Sequence, residues 1–165
     1  MPTDLDIFDF ERDFLADVLR ILGERLSHLH SHVDWEHPEE SYLFDPMEHM
    51  AGVGVVAVQR YLASVCSWFA VVDRTRALQL GPQKKGVAIA AVMNAAANYW
   101  KHIENGKRAI HPPTRKILEQ IGVTLDSSYC VSNALYECGY PQFAGLLDDL
   151  VIWRNAVSEY ARAKA

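Results

Sequence analysis

Asn94, Asn98, Lys101 and His102 recur at helical spacing in the stretch NAAANYWKHIENG, so a helix there would carry them as one polar stripe. Their chemistry is that of phosphodiester cleavage without a metal. An imidazole can move a proton, and a neighbouring ammonium can stabilise the charge of a phosphorane. Tyr99 and Trp100 add rings on which bases could stack, and Lys107, Arg108, Arg115 and Lys116 follow as cations for phosphate. That chemistry needs no cofactor, and none is expected. The stripe also has a plainer explanation: a solvated face, or a buried one whose amides satisfy neighbouring backbone groups.

Charge is divided along the chain in a way the net value of −5 conceals. Residues 1–50 hold three basic and thirteen acidic side chains, whereas residues 74–116 hold nine basic side chains and Glu104 as the one acid. Such asymmetry bears on partners and not on fold. It points to single-stranded RNA as a partner of the basic segment, or to the acidic first helix packing beside that segment.

A second chemistry, metal binding, would draw on His28, His30, His32, His37 and His49. His28 and His32 have the i, i+4 spacing that lets two imidazoles share an ion. No Glu completes a HExxH pattern and no Cys joins the cluster, so no metal site is assigned. His111, before two prolines, reads as a turn residue.

The elements that would position these groups are helical throughout. With 165 residues, half of them apolar, the chain can build one domain with a real core. Apolar residues at helical spacing predict a first helix over 4–31, ending in the histidine-rich run before Pro38. Asp45-Pro46-Met47-Glu48 has the form of a capping box and opens a second helix over 45–72. A third is expected over 85–105 after Gly81-Pro82, a fourth from His111-Pro112-Pro113 to Gly122, a fifth over 128–138 and a sixth over 142–162. No segment reads as a strand. The expected fold is all-α, a single-domain bundle of about six helices spanning 1–165. In the third helix Ile89, Val92, Met93, Ala96, Trp100 and Ile103 share the core side, opposite Asn94, Asn98, Lys101, His102 and Asn105.

Arg154 is unusual because it falls on the edge of the apolar stripe of Phe143, Leu147, Leu150, Val157 and Ala161. Its charge should be partly buried and should have a partner. With Asn155 it forms an Arg-Asn pair on a late helix. These features, with the asparagine and histidine of NYWKH near one end of a helix, resemble the HEPN superfamily. The resemblance implies an all-helical RNA-binding protein or metal-independent endoribonuclease acting as a homodimer, in a toxin-antitoxin or defence setting, with His102, Lys101, Arg154 and Asn98 as catalytic candidates. The family motif places a His four to six residues after the Arg. Here positions 159–161 are Glu, Tyr and Ala, while Arg25 and His30 meet the spacing formally.

A third reading requires no catalytic residue. Alanine-rich faces and GVGVVAVQRYLASV, where Gly52 and Gly54 permit close approach, suit a self-associating bundle that serves as an accessory subunit, including one with an operon-encoded partner. No basic n-region with an apolar run is present, no uninterrupted apolar stretch reaches the ~18 residues of a membrane span, and Cys66, Cys130 and Cys138 lack CxxC spacing. The expected setting is the cytoplasm, with reduced thiols.

Overall fold

The computed structural model describes residues 9–38, 41–103 and 110–164, and within them the chain is an all-α bundle with one minimal hairpin. Helix α1 (Phe10–His30) starts at Asp9, whose carboxylate accepts from the Arg12 amide at 2.9 Å. Acids in its first turn and histidines in its last suit the helix dipole. Leu15, Leu19, Leu26 and Leu29 recur at intervals of three, four or seven, so one face is buried.

Helix α2 (Phe44–Trp68) runs through the centre of the bundle. The capping box expected at its start does not form. The helix begins at Phe44 behind Leu43, and the buried Glu48 turns to another helix, as described below. By length and hydropathy α2 could also cross a bilayer, a property the uninterrupted-run criterion missed. Its apolarity is used here in packing: Val55, Val58, Tyr61, Leu62 and Val65 are all buried. Each fully buried aliphatic side chain of this kind contributes about 1.5–3 kcal/mol.

A short helix α3 (Arg74–Leu78), capped by Asp73, was not anticipated from the pattern. The expected third helix also starts later than Lys85. Strands β1 (Gln83–Lys84) and β2 (Val87–Ala88) pair antiparallel across Lys85 and Gly86, which both have positive φ, 49° and 75°. Two left-handed residues in a row make the turn whose twist matches a hairpin, and Gly86 takes that conformation without steric cost. Lys85 then donates to the Ile121 carbonyl at 2.9 Å and pairs with Glu137, tying the hairpin to two other helices.

Helix α4 (Ile89–His102) follows directly and is buried on more than the one side expected. Ala90, Ala91, Ala95 and Ala97 are all covered, because α2, α5, α6 and α7 pack around it. Alanine allows that crowding. Helix α5 (Pro112–Gln120) opens on two prolines, where the missing amides cost no helical hydrogen bond, and α6 (Cys130–Glu137) packs on α2 and α4. The expected last helix is broken near its start. Pro141–Phe143 form a 3-10 turn with Gln142 and Phe143 at φ of 55° and 64°, and α7 (Leu146–Arg162) begins after the left-handed Gly145. Close packing holds this strained pair in place. A Cβ on Gly54 would lie 2.1 Å from the Phe143 ring, and one on Gly23 would lie 2.5 Å from the Gln142 carbonyl oxygen. Gly52 similarly admits the Trp100 ring, so the glycine notches of α2 are filled from within the chain.

Candidate functional site

The polar stripe of α4 meets α2 through one residue, Gln59. Its Nε2 donates to Asn94 Oδ1 and to Asn98 Oδ1, each at 2.8 Å, and its Oε1 accepts from Lys101 Nζ at 2.6 Å. The asparagines thus share one donor group, and Lys101 is held at the solvent end of the seam. Asn94, Asn98 and Gln59 are half-buried, whereas Lys101 and the adjacent His102 are exposed. This arrangement satisfies the amides as a structural seam should, yet leaves the cation and the imidazole accessible.

Beside the seam, α2, α3 and α4 enclose a groove of about 370 Å³ lined by Gln59, Arg60, Arg74, Asn94 and Lys101 above an apolar wall. Among the described residues three cations line it and no carboxylate does. Arg60 and Arg74 are exposed and make no ion pair among the described residues, so both guanidinium groups are open to solvent. The buried Cys66 thiol also reaches the groove. Burial raises its pKa despite the opposing charge of Arg74, so it is not activated as a nucleophile. Arg60 was not among the site residues expected from the sequence. A charged residue beside Gln59 in an otherwise apolar helix was the available signal for this site.

The other sequence-derived residues separate in space or in accessibility. Tyr99 is buried and Trp100 packs into the Gly52 notch beside His49, so neither presents a free face for a base. Burial also lifts the Tyr99 hydroxyl above its ordinary pKa, so it stays protonated. Lys116 is exposed on α5, and Arg115 pairs with Glu119 at 3.7 Å. Lys107 and Arg108 lie outside the described residues.

Arg154 belongs to a different assembly. Its guanidinium donates to Asp9 Oδ2 at 2.6 Å, and the Tyr61 hydroxyl donates to the same oxygen at 3.1 Å. Both charged side chains are almost fully buried, with 6% and 4% exposure. Asn155, the second member of the Arg-Asn pair, accepts from Arg154 at 3.3 Å and 3.4 Å. Burial and the Asp9 charge push the Tyr61 pKa well above its ordinary value, so Tyr61 remains a donor to the carboxylate. The buried partner that Arg154 required is therefore present, and the group is committed to it. Gln59 and Tyr61 lie two positions apart on α2, about 200° around the helix. The Arg154 cluster and the Lys101 seam consequently occupy opposite faces of α2 and do not converge.

The histidines are likewise dispersed. His32 Nδ1 bonds the His28 carbonyl at 2.7 Å, the His30 ring lies against Trp35, and His49 lies edge-on to Trp100. Among the described residues no group of three His, Cys, Asp or Glu side chains is placed to hold a metal ion. Comparison with family models, with curated proteins and with solved structures finds no match.

Proposed function

We propose that the protein binds the phosphate backbone of single-stranded RNA through the groove between α2, α3 and α4. The observation that carries this reading is the convergence of Arg60, Arg74 and Lys101 on one concavity with no carboxylate among its described lining residues. Phosphate binding is dominated by counterion release, for which exposed, unpaired cations are the requirement. The amides of Gln59 and Asn94 lie in the same lining and add neutral hydrogen-bonding capacity. Lys116 on α5 is a further exposed cation. The HEPN-like resemblance supports the same ligand class. Within that reading His102, exposed beside Lys101, is the group available for proton transfer, and Arg154 acts in the fold and not on the RNA.

The test is the salt dependence of binding to a labelled single-stranded RNA, followed by fluorescence anisotropy. Replacing Arg60, Arg74 and Lys101 together by Gln is expected to reduce the log–log salt slope by about 2, since each phosphate contact on a single strand contributes roughly 0.7. An unchanged slope would remove the groove from RNA binding. If binding is accompanied by cleavage, His102→Ala is expected to abolish it without shifting the melting temperature, because an exposed imidazole contributes little packing.

Self-association is a second reading, favoured by Phe14 and Ile21 lying exposed on α1. Sedimentation of the wild type and of Phe14→Ser with Ile21→Ser should then show a dimer that the double substitution dissociates.

A further inference from the structure

At the other end of α2 a second concavity, of about 460 Å³, opens between α1, α2 and α6. Its floor is made by the buried Leu26, Ala51 and Leu135. Its walls are aromatic. The rings of His30 and Trp35 lie 4.7 Å apart, Trp35 and Phe44 6.2 Å, and Phe44 and Tyr129 5.5 Å, forming a continuous arc. Tyr136 also lines the cleft. The volume lies in the range of small-molecule sites, and the apolar floor with a few polar edge groups has their usual make-up.

Charge selects the class of occupant. The two stretches whose residues line the cleft, 26–51 and 129–142, contain no Lys or Arg, but six acids and one acid respectively. Some of these carboxylates are engaged: Glu137 pairs with Lys85, and Glu48 faces backbone amides of α6. Asp34 and Glu36 flank Trp35 in sequence, with Asp34 accepting from the Glu36 and His37 amides at 3.0 and 3.4 Å, and Asp45, which follows Phe44, accepts from the Tyr129 hydroxyl of the arc at 3.4 Å. Aromatic faces carry negative quadrupole density and attract a cation brought over them. An anion would meet both those faces and the Asp45 carboxylate held at the Tyr129 hydroxyl.

We infer that this cleft binds a small organic cation, an alkylated ammonium group carrying an apolar or aromatic body. The ammonium would lie over the Trp35–Phe44–Tyr129 arc, and the body would cover the Leu26–Ala51–Leu135 floor. This site is separate from the cationic groove, with opposite charge and without shared lining residues. Its occupancy does not depend on RNA binding.

Calorimetric titration with benzyltrimethylammonium, with choline and its neutral carbon isostere dimethylbutanol, and with tert-butylbenzoate tests the inference. Benzyltrimethylammonium is expected to bind most tightly, choline more tightly than dimethylbutanol, and the anion not measurably. Trp35 and Tyr136 are 56% and 72% exposed, so Trp35→Ala and Tyr136→Ala should fold normally. Trp35→Ala is expected to weaken benzyltrimethylammonium binding roughly 2- to 30-fold, the factor that corresponds to one cation–π contact, and Tyr136→Ala, outside the arc, to weaken it less. Equal binding of choline and dimethylbutanol, binding of the benzoate, or an unchanged dissociation constant in both variants would overturn the proposal. So would an absence of binding at millimolar benzyltrimethylammonium, or a wild-type dimer that Tyr136→Ala dissociates, which would make the cleft an interface between copies of the chain.

Discussion

Two polar assemblies flank α2, and they differ in what they leave available. On one face Asp9, Tyr61 and Arg154 are all buried and hydrogen-bonded to one another. On the other, Gln59 collects Asn94, Asn98 and Lys101, and the last of these ends in solvent beside Arg60 and Arg74. Arginine is the residue type most often associated with phosphate recognition, yet Arg154 is closed off while the flexible Lys101 is open. Residue type does not decide which cation serves a ligand. Burial and saturation by partners do.

Removal of one charge tests the closed assembly most severely. Arg154→Ala strands the Asp9 carboxylate in the core, and chemical denaturation should show a loss of about 3–5 kcal/mol. Arg154→Met combined with Asp9→Asn should recover part of that loss, because no buried charge is left unpaired and the amide oxygen can still accept from the Arg12 amide or the Tyr61 hydroxyl. A single-variant loss below about 1 kcal/mol would place the pair with exposed ion pairs and end the contrast between the two faces.

The open assembly should be more tolerant. Gln59→Ala removes the donor shared by two half-buried asparagines, and a loss of about 1–2 kcal/mol is expected, with water replacing part of the lost bonding. If the groove binds RNA as proposed, that affinity should persist in this variant, because Arg60, Arg74 and Lys101 keep their charges. A loss as large as that of Arg154→Ala would show that the seam is as structural as the buried cluster.

Glu48 sharpens the comparison from the same helix. Its two oxygens accept from the Val131 and Ser132 amides, each at 2.8 Å, and so cap α6 in place of its own helix. Burial nevertheless raises its pKa, outweighing those hydrogen bonds. A carboxyl whose folded pKa is raised holds its proton longer in the native than in the unfolded state. This group's contribution to stability therefore falls as pH rises through the interval that opens at the ordinary glutamate value, about 4.3, and closes at the folded one. The difference in stability between wild type and Glu48→Gln should change across that interval, by a smaller amount than the losses above. A difference independent of pH would mean that Glu48 titrates in the fold as it does in the unfolded chain.

Much of the helical framework was legible as periodicity. The leucines of the first helix, the prolines that open the fourth and the polar stripe of NAAANYWKH are local signals, set by contacts three and four residues apart, and the corresponding helices form. Arg154 was legible in part, because its position on an apolar stripe demanded a buried partner. Elements were missed or displaced where a turn residue or a distant contact overrode the local pattern. Lys85-Gly86 makes a hairpin turn in place of a helix start, Glu48 leaves its own capping box for α6, and Gln142-Phe143 break the last helix to fill a notch on α2.

The sequence by itself determined which stretches are helical and which side chains carry charge, since both follow from residue type and near-neighbour spacing. Tertiary structure alone decided what each charge faces. Asp9 and Arg154 meet across 145 positions, and Gln59 reaches its three partners across 35, 39 and 42. Pairings at that range depend on how helices pack, and a helical repeat of three or four residues contains no information about them. The same holds for the two concavities. Arg60, Arg74 and Lys101 come from three helices, and the aromatic arc runs from the end of α1 through the start of α2 to the residue before α6. Each wall is ordinary in its own segment, and a site exists only where packing brings the segments together.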